Sequence, residues 1–319
     1  MCMRNYRGLE YNSGYPDIEL TLDQVKKILS PDFLKQIKKV VFNGNLGDFG
    51  LAKDGVEIVK YLLENQVETI GICTNGSMRT PDWWAKLALP GVRIGFALDG
   101  IDSATHGLYR QDTDWNRVIK NAQAFIHAGG HAVWRFIPFK HNQAQIKDCR
   151  KLSQELGFTE FDIIDDGRNC GPVYTRTGDF SHWLGEPWSN TEPDITALVQ
   201  SHITWYDAKT IKSSRDVTPL NIGCHHKRNQ ELYINALGEI YPCCYLGYYP
   251  NTMRHPGNDE LRPMIKNNNA LEYSLEECIA WFDRVEESWD RPSVAEGRLY
   301  ACVDTCGGWE PPAIKQTLL

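Results

Sequence analysis

From Lys39 to Asp166 short apolar runs alternate with segments of helical period, and this alternation constrains the fold more than any other feature of the chain. Lys39–Asn43 reads as a strand, and Val56, Val59 and Leu63 then share one face of a helix starting near Ala52. Thr69–Thr74 is the next strand, Pro81–Leu89 a short helix with proline in its first turn, and Val92–Leu98 a third strand. A helix over Trp115–Ala128 closes at Gly129–Gly130. Ala132–Phe139 is a strand, Asn142–Leu156 a helix closed by Gly157, and Phe161–Ile164 a last strand. Ahead of all these, Thr21–Ile37 is helical with an interruption at Pro31. Strands separated by helices are joined by crossovers rather than hairpins, which makes them parallel. The predicted class is therefore α/β, as a doubly wound sheet or a barrel, and both carry their chemistry at the carboxyl ends of the strands.

Those ends are rich in small and polar residues. The first strand is followed by Gly44-Asn45-Leu46-Gly47-Asp48, whose glycines let backbone approach a ligand and whose amides, carbonyls and carboxylate suit an ammonium group or a phosphate. The second is followed by Thr74-Asn75-Gly76-Ser77, with groups that can meet a ribose. The third leads to Asp99-Gly100, His106, Tyr109 and Arg110, and the fourth carries Arg135 and runs on to His141-Asn142. Taken singly, each has an ordinary reading as a turn or an ion-pair partner. Four consecutive strand ends of this kind point to a functional cleft.

The chain also holds ten cysteines without a secretory signal, since the charged stretch Arg4 to Asn12 follows Met1 directly. Thiols or metal ligands are then expected rather than disulfides. Cys73, Cys149 and Cys278 lie in apolar or helical patterns and are expected to be buried core residues. Cys224, Cys243, Cys302 and Cys306 are different. Thirteen residues separate Cys224 from Gly238, Gly238-x4-Cys243 follows, and Cys302-x3-Cys306 closes the set. Glu231–Asn235 and Glu239–Tyr241 read as a hairpin about Ala236-Leu237-Gly238, which brings a thiol before its first strand near one after its second. Four thiolates suit iron–sulfur or zinc, with Cys244 as the alternative to Cys243. The expected organisation is a first domain over 1–166, a Gly-, Pro- and Trp-rich bridge over 167–222 with a helical stretch near Ile195–Tyr206, a cysteine-rich domain over 223–308, and a tail over 309–319. A net charge of −7 argues against nucleic acid as a partner, and no apolar run reaches the roughly 20 residues that span a bilayer. A cytoplasmic location is expected.

Gly44-Asn45-Leu46-Gly47-Asp48 resembles the Gly-Gly-Glu motif of radical S-adenosylmethionine (SAM) enzymes, which holds the methionyl amino group of SAM. The segments through Thr74, Asp99, His106, Arg110 and Arg135 are similar to the later SAM-binding segments of that superfamily. By this resemblance Thr74 and Asn75 lie near the ribose, and Arg110 or Arg135 near the carboxylate. Ala97 and Leu98 stand where many members carry a Ser before Asp-Gly, so that polar contact is missing. Met1-Cys2-Met3-Arg4-Asn5-Tyr6 resembles the segment around the third cysteine of the C-x3-C-x2-C motif that holds a SAM-binding 4Fe–4S cluster, with the two earlier cysteines and the preceding strand absent. The C-terminal set resembles SPASM and twitch domains, and its cysteine count fits the single-cluster twitch form. The resemblance implies a partial (β/α)6 TIM-like barrel lacking its first strand, followed by a small α+β cluster domain. It also implies SAM, an auxiliary 4Fe–4S cluster and a reductant such as flavodoxin or ferredoxin. The reaction it implies is hydrogen abstraction by a 5′-deoxyadenosyl radical, from a substrate that members with such domains often find in a peptide or protein. With one motif cysteine, SAM cleavage is expected of a complete protein rather than of this stretch alone. Two other readings stand beside it. One is a non-catalytic metal-binding protein with a relic barrel and a structural four-cysteine site. The other is a conventional barrel hydrolase or isomerase using Asp48, Asp99 and His106 as acids and bases.

Overall fold

The computed structural model describes residues 5–6, 8–10, 16–44, 47–164, 171–185, 221–248, 260–293 and 296–307. Among these, residues up to 10 and from 29 to 185 form one compact unit, and residues 16–28 with those from 221 onward form a second.

The first unit opens on a short antiparallel pair, β1 (Asn5–Tyr6) and β2 (Leu9–Glu10). Helix α1 (Leu22–Ile28) belongs to the second unit, and α2 (Pro31–Leu34) returns to the first, capped by Ser30. The break predicted at Pro31 thus separates two helices. Five parallel strands follow in sequential order: β3 (Lys39–Phe42), β4 (Thr69–Thr74), β5 (Val92–Ala97), β6 (His131–Phe136) and β7 (Glu160–Ile163). Between them lie α3 (Gly55–Glu64), α4 (Pro81–Ala85), α5 (Ser103–Tyr109), α6 (Trp115–His127) and α7 (Ile146–Glu155).

The register explains which side the helices cover. One face stacks Ile72, Ile94 and Ala132 in a row, with Phe96, Trp134 and Phe161 in the next. Rings of Trp84 from α4 and Phe125 from α6 meet Phe96 there. The opposite face mixes valines with small and charged residues: Val41, Gly71, Arg93 and His131 in one row, Cys73, Gly95, Val133 and Glu160 in another. Arg93 and His131 both pair with Glu160 on that face. A doubly wound sheet buries apolar side chains on both faces. An apolar face under helices and an opposite face rich in small and charged residues are consistent with a partial TIM-like barrel.

Several elements differ from the sequence reading. Asp48 caps a 3₁₀ turn over Phe49–Leu51, so α3 starts only at Gly55 and buries Leu62 rather than Leu63. The segment after Pro81 leaves the helix at Ala85, and α7 begins at Ile146 after a second 3₁₀ turn. Cys73 is half-buried on the charged face, whereas Cys149 and Cys278 are buried as expected. Helix α5 was not foreseen, because seven residues containing Gly107 show no apolar period; Asp102 caps it by accepting from Thr105 N at 2.8 Å. Residues assigned to the bridge form a hairpin of β8 (Gly171–Tyr174) and β9 (Phe180–Leu184). Val173 and Leu184 pack with Tyr109, Ile137 and Phe139. The helical stretch over 195–206 and the tail lie outside the described residues.

In the second unit α8 (His225–Arg228) precedes the predicted hairpin, β10 (Tyr233–Ile234) with β11 (Ile240–Tyr241). Helices α9 (Cys244–Tyr248), α10 (Leu275–Ile279), α11 (Phe282–Trp289) and α12 (Tyr300–Cys306) follow, α10 starting in a capping box of Ser274 and Glu277. Tyr241, Leu246, Leu261, Trp281, Val285 and Leu299 form the core. Lys27 of α1 donates to the Leu271 carbonyl, tying α1 to this unit. Among the described residues no helix is long and apolar enough to cross a membrane.

Candidate functional site

Gly44 sits at φ +59°, where a Cβ would stand 2.8 Å from the Gly47 carbonyl oxygen, so this turn requires glycine. It leads into Asp48, whose carboxylate is a junction. Oδ1 accepts from Gly50 N at 2.9 Å and from the Thr74 hydroxyl at 2.7 Å, and Oδ2 accepts from Asn75 N at 2.8 Å. Thr74 Oγ1 accepts from Gly76 N in turn, and Asn75 Oδ1 from Ser77 N. The loops after β3 and β4 are therefore one hydrogen-bonded body. Arg79 fastens it by donating to the carbonyls of Gly50, Leu51 and Ala52, and buried Asn121 on α6 does so by donating to Gly76 O and Met78 O.

A second body lies after β5 and β6. Asp99 is fully buried; Oδ2 accepts from Arg110 Nε at 2.6 Å and Oδ1 from Ile137 N at 2.6 Å. The Asp99 amide donates to His106 Nδ1, and the Thr113 hydroxyl donates to Arg110 O while standing 2.9 Å from His106 Nε2. This network assigns the proton to Nε2, which donates to Thr113, and leaves the imidazole neutral. Burial lowers the His106 pKa to about 4, with Asp99 opposing and Arg110 adding to the fall. Buried Asn142 donates to Asp99 O and Ile137 O and accepts from Phe139 N. Arg135 lies between the two bodies. Its Nη1 donates to Cys73 Sγ at 2.7 Å, crossing β5 at Gly95, where a Cβ would meet Arg135 Cδ at 2.5 Å. Asp48 acts electrostatically on both Arg110 and Cys73, so the two bodies share one end of the strands.

In the second unit Cys224, Cys243, Cys302 and Cys306 line one cavity of about 30 Å³, and Cys244 is not in its wall. Lys227 N donates to Cys224 Sγ at 3.4 Å and Leu246 N to Cys243 Sγ at 3.5 Å, while the His225 backbone acts on Cys306. Burial raises the pKa of Cys243 and Cys306 and pushes Cys302 up to about 12, so these thiols are protonated when no metal is present. Among the described residues no three Cys, His, Asp or Glu side chains crowd onto a single ion position; the thiols ring a space instead. Four sulfurs, three of them served by backbone N–H donors, within apolar walls are a donor set that fits an iron–sulfur cluster.

Residues 1–149 match the family model described as the Radical SAM superfamily. They form a radical SAM domain. None of the curated proteins compared with the chain matches it. Among solved structures, one of hexahistidine-tagged anSMEcpe with bound AdoMet is 16% identical with a TM-score of 0.50, covering 88% of this chain and 73% of that one. Native anSMEcpe with bound AdoMet is 15% identical with a TM-score of 0.50, over 88% and 78%. Streptococcus suis SuiB bound to S-adenosylmethionine is 15% identical with a TM-score of 0.40, over 65% and 48%. The chain thus spans about half the length of that SuiB structure. At these identities the likeness concerns the fold.

Of the residues singled out in the radical SAM domain, Gly44, Gly47, Asp48, Thr74 and Asn75 fall in the first body, Asp99 and Arg110 in the second, and Arg135 between them. Cys2 and Asn45 lie outside the described residues. The hydrolase reading loses its support here. Both oxygens of Asp99, both of Asp48 and both ring nitrogens of His106 are committed to hydrogen bonds, which leaves no acid–base pair poised for proton transfer among them. Asn121 and Arg79 escaped the sequence reading. Asn121 alone carried a signal, as a polar residue inside the apolar stripe of α6 beside Val118, Ala122 and Phe125.

Proposed function

We propose that this chain works as a radical SAM enzyme whose second unit carries one auxiliary 4Fe–4S cluster on Cys224, Cys243, Cys302 and Cys306. The radical SAM domain supports the first half of this reading, and AdoMet bound in the anSMEcpe structures of like fold supports SAM as the cosubstrate. The observation that carries the second half is that four cysteines distant in sequence line one cavity. SAM, reductively cleaved, supplies a 5′-deoxyadenosyl radical that abstracts hydrogen from the substrate. The chain's own contribution is positioning. The hydrogen-bonded loops over 47–52 and 74–79, with Gly44 before them, present backbone groups of Gly44, Gly47 and Asn75 toward the methionyl and ribose parts of SAM, and Asn45 stands in the same run of sequence. Arg110 and Arg135 are the cations available to the SAM carboxylate, since Arg110 gives only its Nε to Asp99 and Arg135 only its Nη1 to Cys73. Four thiolates leave no open iron, so the auxiliary cluster serves electron transfer or structure. A peptide or protein substrate, and a flavodoxin or ferredoxin as electron donor, are proposed by analogy with members carrying such C-terminal domains.

Anaerobic reconstitution of the chain with iron and sulfide, followed by metal analysis and Mössbauer spectroscopy, tests this. Spectra of a cluster with four thiolate ligands are expected, with a large loss of bound iron in Cys302→Ala. Stoichiometric zinc with negligible iron would favour a structural metal-binding protein instead.

A further inference from the structure

We propose that Trp289 is the hydrogen-bond donor to the Cys302 sulfur in the loaded cluster site and that this bond sets the site's reduction potential; the inference rests on the auxiliary-cluster reading above. Three of the four cysteines receive backbone donors: Cys224 from Lys227 N, Cys243 from Leu246 N, and Cys306 from the His225 backbone. Cys302 is placed differently. It lies within α12, where Cys302 N and Val303 N both donate to Leu299 O, so the amides around it are spent on the helix. The one donor acting on its sulfur among the described residues is the indole of Trp289.

Trp289 ends α11 and lines the cavity alongside the four cysteines. Its Nε1–H is buried and forms no hydrogen bond of ordinary length with any described atom, so the donor is held in reserve at the wall. A buried N–H without a partner is costly, and an acceptor that arrives with a ligand removes that cost. The ring is fixed from outside. Lys227 Nζ lies 5.8 Å from the ring centroid and pairs with Glu286, one turn earlier on the same helix. Because the Lys227 amide also serves Cys224, one residue ties the Cys224 segment to the indole that faces Cys302. Sulfur ligated to iron carries more negative charge when the cluster is reduced, and a donor there favours the reduced form. The indole N–H therefore makes the potential more positive than the thiolates alone would.

The test compares the full chain with Trp289→Phe, both reconstituted anaerobically with iron and sulfide and titrated reductively under EPR. Phenylalanine keeps an aromatic ring under Lys227 while removing the donor and part of the ring's bulk, and the control below carries the same loss of bulk. Equal iron content with a more negative potential in Trp289→Phe is expected. Trp281→Phe is the control, since it removes another buried unpartnered indole N–H from the same core but away from the cavity wall, and should leave the potential unchanged. Full iron content with an unchanged potential in Trp289→Phe overturns the proposal, as does an equal shift in Trp281→Phe. Should Trp289→Phe fail to fold, pulsed EPR of the reduced wild-type cluster with isotopically labelled indole nitrogen decides: a coupling to that label supports the bond, and its absence refutes it. A wild-type chain that takes up no iron overturns the cluster reading itself and this inference with it.

Discussion

His106 shows how little a residue's chemistry is settled by its type. A histidine beside a strand end invites a catalytic reading, yet here one ring nitrogen accepts from the Asp99 amide and the other donates to Thr113. The folded state therefore prefers the neutral ring, and its pKa falls from 6.5 to about 4 because the ring is buried. Between those values the unfolded chain binds a proton that the folded chain refuses, so stability falls as the medium is acidified. The contribution is fully present above pH 6.5, declines from there toward pH 4, and amounts to about 3 kcal/mol at most. Urea unfolding of wild type and His106→Gln across this range should show a steeper acid loss in wild type; parallel profiles would contradict it. Asp99, His106 and Arg110 were recognisable in the sequence as a polar constellation. Their commitment to one another was not, because it depends on Ile137 N and on the Thr113 hydroxyl, contacts that no local pattern encodes.

At the scale of elements, the five strands were legible because each is a short apolar run bounded by turn residues. Helix α5 and the hairpin of β8 and β9 were not, since neither repeats an apolar period long enough to be seen. Nor did the sequence tell which sheet face the helices would cover; that emerges from register, which gathers Gly71, Arg93, Gly95 and Arg135 away from the helices. Gly95 has a specific task on that face. It leaves a channel over β5 through which Arg135 reaches Cys73. In Gly95→Ala the new methyl would meet Arg135 Cδ, and either the arginine leaves Cys73 or the strands part. Overpacking of this kind costs about 1–3 kcal/mol. A double-mutant cycle separates the outcomes: the penalty should largely vanish when Gly95→Ala is made in an Arg135→Ala background. Equal penalties in both backgrounds would mean that the arginine is not what the glycine accommodates.

Across the whole molecule, the sequence announced its second unit through cysteine spacing alone, and the hairpin between Cys224 and Cys243 formed as that spacing required. What spacing could not show is that two of those thiols belong equally to the apolar core. Cys302 lies within the cluster of Tyr241, Leu246, Leu261, Trp281, Val285 and Leu299, and Cys243 packs against it. Leu246, Val285, Ala301 and Cys302 belong to both the core and the cavity wall, so occupancy of the cavity and cohesion of the core must be coupled. A ligand held only by the folded unit adds about 4 kcal/mol of stability when present at roughly a thousand times its Kd. The gain should be confined to the unit that binds, because stability is distributed in local cooperative blocks. Hydrogen exchange on the anaerobically loaded and metal-free chain should therefore show slowed exchange in peptides covering 240–248, 282–289 and 299–306. Peptides covering β4, β5 and β6 should be unaffected by auxiliary-site loading. Cys302→Ala should erase the difference between loaded and metal-free protein. Uniform protection over both units, or none in the second, would mean that the four cysteines do not act as one site within this core.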